Sequence, residues 1–137
     1  MKLRRKLTLA FFLTMAGEEQ EAAPLAAEAL ALAQARGDAA REIDGLLQLG
    51  TTLQYCGERG RAVALFEDGL ARVDATGLRA QEHFLLHHMG RCLAELGRYD
   101  EARAAFVKAL VLRQAAGEPR FIASTQGALA ELAGLTR

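Results

Sequence analysis

The sequence predicts an all-α chain, a right-handed α-solenoid of antiparallel helix pairs with about three and a half repeats in seven helices. Three observations lead there. The first is composition. Among 137 residues Ala and Leu dominate, Trp is absent and Pro occurs twice, at Pro24 and Pro119. β-Branched residues never alternate in a strand-like run, so the helix formers face little competition from sheet. The second is a repeat: a shift of 40 residues superimposes Gly17, Gly57 and Gly97, and equally Gly37, Gly77 and Gly117. The third is apolar spacing at three and four. Leu86, Met89, Leu93 and Leu96 form one stripe, and Ala102, Phe106, Ala109 and Leu110 the next. Neither stripe can be buried by its own helix, whereas stacked pairs bury both.

Taken in order, the first copy spans about residues 3–38. It keeps Leu13, Ala22 and Leu30 in the columns of Leu53 and Leu93, Ala62 and Ala102, and Leu70 and Leu110. It departs elsewhere: Ala10 stands where later copies have Gly50 and Gly90, and Ala26 where they have Phe66 and Phe106. Pro24 lacks an amide donor, so the second helix is expected to start late or bend there. The second and third copies span about 39–78 and 79–118 and match each other more widely, adding Leu46 with Leu86. Gly127 and Gly134 match Gly90 and Gly97 at a shift of 37, which gives a closing helix over about 119–134. Glycines 57, 77, 97 and 117 end helices because a left-handed terminus is cheap for glycine. One domain over 1–137 is expected, since a chain of this length buries enough apolar surface to fold without staples.

The segment Gly90-Arg-Cys-Leu-Ala-Glu-Leu-Gly-Arg-Tyr-Asp-Glu-Ala-Arg-Ala-Ala-Phe-Val-Lys-Ala-Leu110 resembles a tetratricopeptide repeat. The family's two glycines fall on Gly90 and Gly97, its turn on Arg98 to Glu101, and its small-large-small set on Ala102, Phe106 and Ala109. The second copy keeps Gly50, Gly57, Ala62 and Phe66, but has Gly69 where the family prefers Ala and Arg59-Gly60 where it prefers an aromatic turn. The period of 40 exceeds the family's usual ~34, and such longer repeats resemble those of bacterial regulators.

Several function classes are disfavoured. Lys+Arg and Asp+Glu both number 17, giving zero net charge, and no basic run extends beyond Lys2 to Lys6, so a nucleic-acid partner is not expected. Cys56 and Cys92 are too few for a disulfide framework and lack zinc-site pairing, which suits a reducing, cytoplasmic setting. Lys2 to Lys6 followed by the apolar stretch Leu7 to Ala16 has the form of a secretory leader, but the repeat register uses it as a structural helix. The stretch falls short of the ~20 residues needed for stable membrane insertion. His83 and His87, four apart, have metal-ligand spacing, yet two ligands make no site, and neither a metal nor any other cofactor is expected. No phosphate loop, serine elbow or activated cysteine motif points to an enzyme.

In the resembled family the first helix of each pair lines a concave groove that holds peptides or partner helices. The resemblance places Asp44, Gln48, Thr51 and Tyr55 there from the second copy. From the third it places Phe84, His87, His88, Arg91 and Glu95. A clamp for a free carboxylate would need a Lys and Asn set, but the matching places hold Leu7, Phe11, Leu47 and Thr51. Arg91 with His88 is a candidate pair for an acidic side chain, or else a solvated basic patch. Leu7, Phe11, Phe12 and Met15 leave the first helix apolar almost all round, although an end helix of a solenoid normally shows water a polar face. A cover is expected, preferentially a second copy in a symmetric homodimer, otherwise a partner helix or, given the basic residues just upstream, lipid; the alternative is a bend of the repeat that buries these residues internally. The expected function is non-catalytic binding of a protein or peptide partner by a homo-oligomer. The alternative is a sensor module for a small ligand or signalling peptide, marked by a pocket near Tyr55, Phe84 and His88.

Overall fold

The computed structural model describes residues 3–15 and 17–136, so Lys2 and Ala16, named above in the leader-like stretch, lie outside the described residues. Seven helices occur among the described residues: α1 Leu3–Met15, α2 Glu19–Arg36, α3 Ala39–Tyr55, α4 Arg59–Thr76, α5 Glu82–Glu95, α6 Tyr99–Ala116 and α7 Pro119–Leu135. No strand is present among them.

The recurring glycines set this pattern. Gly17, Gly37, Gly57, Gly77, Gly97 and Gly117 all have positive φ, between 64° and 85°. A side chain would be strained in that left-handed region, so each glycine closes one helix and turns the chain back for the next. After α2, the Gly37 amide donates to Gln34 O and the Asp38 amide to Ala33 O, while the Asp38 carboxylate caps α3 by accepting from the Arg41 amide at 3.1 Å. Pro24 behaves differently from the expectation of a late start: α2 begins at Glu19 and passes through it. The proline removes one intrahelical bond, the one its amide would make to Gln20 O, without ending the helix. Pro119 opens α7, where a missing amide has no intrahelical partner to forgo.

Consecutive helices pack along the whole array. Beyond these neighbours, α1 touches α3, α3 touches α5, and α5 touches α7, whereas α2, α4 and α6 make no such contacts with one another. The odd-numbered helices therefore form the inner face of the solenoid and the even-numbered helices its outer face.

Packing within a pair depends on a glycine opposite a phenylalanine. Phe66 and Phe106 are buried, and their rings lie where side chains at Gly50 and Gly90 would project. A Cβ at Gly50 would sit 2.5 Å from Phe66 Cε1, and one at Gly90 would sit 2.8 Å from Phe106 Cδ1. The first pair replaces both partners, with Ala10 on α1 and Ala26 on α2 each fully buried. At the other end Gly127 occupies the equivalent place on α7, but a Cβ there would meet nothing within 4 Å. One core cluster runs from Ile43 to Leu132, and a second, smaller one joins Leu3, Ala29 and Ala33.

Candidate functional site

Each inner helix is joined to the next by buried or half-buried side-chain hydrogen bonds. Between α1 and α3, Thr14 Oγ1 lies 3.0 Å from Thr52 Oγ1. Between α3 and α5, His88 Nδ1 donates to Gln54 Oε1 at 3.2 Å. Between α5 and α7, His87 Nδ1 lies 3.1 Å from Thr125 Oγ1. Groups buried this deeply are costly when unpaired, so these contacts fix how the inner helices line up.

The two histidines of this seam are structural. The His88 ring stacks on Phe66, with centroids 6.1 Å apart, and the His87 ring meets Phe106 edge-on at 5.5 Å. Burial, then the nearby Arg113 charge, pulls His87 down to about 3. Burial, then Arg91, pulls His88 down to about 4. His88 is thus neutral near pH 7 and adds no charge beside Arg91, which corrects the expectation of a paired basic site.

Arg113 was not singled out from sequence, yet it organises the N-terminal end of α5 and α7. It is 3% exposed. It donates to His83 Nδ1 at 3.0 Å, Phe121 O at 3.1 Å and Thr125 Oγ1 at 2.8 Å. Its guanidinium also lies over Phe84 and Phe121, 5.5 and 5.1 Å from the ring centroids. Among the described residues it has no carboxylate partner, so aromatic faces and neutral acceptors hold the cation. Burial, then this charge, lowers His83. A metal across His83 and His87 would compete with Arg113 for the His83 nitrogen and sit beside its charge. Among the described residues no cluster of three or more His, Cys, Asp or Glu side chains is placed to supply the missing ligands.

The inner face carries two hollows. One, of about 390 Å³, lies between α5 and α7 and is lined by His87, Arg91, Phe106, Ala123, Gly127, Glu131 and Leu135 among others. Arg91 and Glu131 form no ion pair among the described residues, so both charges are available to a ligand. The other, also about 390 Å³, lies between α1 and α3 and is lined by Arg4, Leu7, Phe11, Asp44 and Gln48.

The sequence-derived groove residues are spread over these hollows and beyond. Asp44 accepts from Arg41 and Gln81, and Gln48 reaches Thr14 and Thr52. Thr51 is half-buried and spends its hydroxyl on Leu47 O, whereas Tyr55 is exposed in the last turn of α3. Phe84 packs edge-on against Phe121, with centroids 5.1 Å apart, in the first turn of α5. Tyr55 and Phe84 therefore sit at opposite ends of the inner face and line no common pocket with His88. Glu95 is held by Arg59 of α4. Of the nine, only His87, Arg91 and Glu95 share the α5–α7 hollow.

On α1, Leu7 is half-buried against the Leu3, Ala29 and Ala33 cluster. Phe11, Phe12 and Met15 are 51%, 64% and 67% exposed. No bend of the repeat buries them, so that alternative is set aside. Among the described residues no helix is long and apolar enough to cross a membrane.

Residues 83–115 match the family model described as tetratricopeptide repeat. No curated protein matches the sequence. Among solved structures, the fold is similar to the TPR domain of Arabidopsis FLU, with a TM-score of 0.80 and 22% identity over 82% of this chain and 95% of that one. It is also similar to the nearly identical TPR-like repeats of a kinesin light chain-type protein of Podosopora anserina. There the TM-score is 0.77 and the identity 21%, over 97% of this chain and 70% of that one.

Proposed function

We propose that the chain, whose residues 83–115 match the tetratricopeptide repeat model and whose fold is similar to TPR domains, is a non-catalytic binding module that holds a peptide or partner helix on its inner face. The α5–α7 hollow carries this reading: it brings an unpaired cation, Arg91, and an unpaired anion, Glu131, into one lining with the apolar Ala128, Leu132 and Leu135. A ligand that buries an apolar side chain there can place a charge of either sign beside an opposite one. The same proposal includes self-association through the exposed side of α1. A reducing, cytoplasmic setting belongs to it as well and rests on the sparse cysteine usage alone.

Selection from a displayed peptide library tests the binding claim. Selected peptides are expected to lose at least about tenfold in affinity, or 1.4 kcal/mol, on Arg91→Glu. They should be unaffected by Val111→Asp, at an exposed site on α6 of the outer face. Peptides that bind both variants alike would refute the α5–α7 hollow as the ligand site.

A further inference from the structure

The two ends of the array each leave one helix face uncovered, and the two faces match. On α1 the exposed side carries Arg4 and Arg5 in the first turn and Leu9, Phe11, Phe12 and Met15 beyond it. Neither arginine forms an ion pair among the described residues, and α1 contains no acidic residue. On α7 the uncovered side carries Ala123, Gly127 and Ala130. By its place in the repeat, Gly127 corresponds to Gly90, whose missing side chain makes room for Phe106.

We propose that α1 of one copy docks on α7 of the next, in the position an outer helix takes against an inner one, so that copies join head to tail. This rests on the self-association reading above and identifies the surface that receives α1. Phe12 is the residue for the gap at Gly127. Thr8 lies four residues before it and Met15 three after, the same spacing as Ala102 and Ala109 about Phe106. Lying antiparallel on α7, as α6 lies on α5, α1 brings Arg4 and Arg5 to the C-terminal half of α7, where Glu131 is unpaired. Its own carbonyl end then meets Arg120 at the start of α7. A symmetric contact between two α1 helices satisfies the apolar surface but supplies no carboxylate to the arginines. A head-to-tail contact does not close on itself, so it grows with concentration rather than stopping at a dimer. One helix pair buries less than the roughly 800 Å² per partner of a standard interface, so the association is weak.

Sedimentation velocity over a concentration series tests this with two variants. Phe12→Asp keeps the α7 face and loses the α1 face. Gly127→Lys does the reverse, and it is compatible with folding because its Cβ meets nothing within 4 Å. Wild-type protein is expected to rise past the dimer mass as concentration increases, each variant alone to stay monomeric, and their equimolar mixture to form a one-to-one dimer. If Gly127→Lys alone still dimerises while Phe12→Asp does not, the receiving surface is another α1, and self-association through α1 survives without the head-to-tail arrangement. Wild-type protein that is monomeric throughout refutes both, and so does a monomer that uses Phe12 to co-sediment with anionic vesicles. Ala123, Gly127 and Glu131 also line the α5–α7 hollow, so a selected peptide at saturation is expected to suppress the association. Peptide binding by wild-type protein that stays monomeric would leave the peptide reading standing while the head-to-tail arrangement falls.

Discussion

In α3/α4 and α5/α6 a phenylalanine of the outer helix fills the space left by a glycine of the inner helix, whereas in α1/α2 buried alanines stand at both of those places and at α7 a glycine faces open space. The middle of the solenoid is thus a fitted lock: neither partner can change without a void or a clash. The ends follow the same backbone plan without that fit, and there the apolar surface is left exposed. Packing tuned for stability and surface free for association occupy different parts of one repeated design.

Removing the filling residue gives the largest expected effect. Phe66→Ala or Phe106→Ala should each cost about 3–5 kcal/mol in urea unfolding, a large share of the stability of such a domain. A loss well under about 1 kcal/mol would mean that the ring does not hold the pair together.

The next effect comes through pH and belongs to the middle of the array. His87 and His88 have folded pKa values of about 3 and about 4, below their unfolded value. The unfolded chain therefore binds protons first, and stability falls as pH drops through the window from about 6.5 toward 3–4. Between pH 7 and pH 5 each histidine should account for about 2 kcal/mol of lost stability. Unfolding of wild type and of His87→Gln with His88→Gln at both pH values checks this: the double variant should lose the steep part of the dependence, and an unchanged slope would show that these rings are not the source.

The comparison sharpens most in one substitution made at equivalent places. Gly90→Ala pushes a methyl group toward the Phe106 ring and should destabilise by about 1–3 kcal/mol, less a fraction returned by helix propensity. Gly127→Ala meets open space and should stabilise by about 0.5–1 kcal/mol. Thermal unfolding of the two variants side by side reads the difference. Equal signs would erase the distinction between a filled and an unfilled gap.

The helix plan was legible because its punctuation is covalent and local: a left-handed turn needs glycine, and six such glycines fall in register. The Gly50–Phe66 and Gly90–Phe106 pairs were legible for a related reason, since the same small and large residues recur one period apart. The site was less so. Arg113 falls in a column with Ala33 and Val73, and a buried cation among apolar residues is a signal, but its partners are rings and a carbonyl rather than an acid, so no charge pattern reveals it. His87 and His88 sit in the sequence as polar residues on the inner helix. Whether a ring points into a groove or across a helix seam depends on what the neighbouring helix offers, here Thr125 and Gln54. Tyr55 and Phe84 were grouped by helix face, yet they lie at opposite ends of it because one ends α3 and the other begins α5.

Hydrogen exchange of the protein with and without a selected peptide tests the binding account most directly. Protection is expected in α5 and α7, around Arg91 and Glu131, with the amides of α2 and α4 unchanged. Protection confined to the outer helices, or none in α5 and α7 at a saturating peptide concentration, would contradict it.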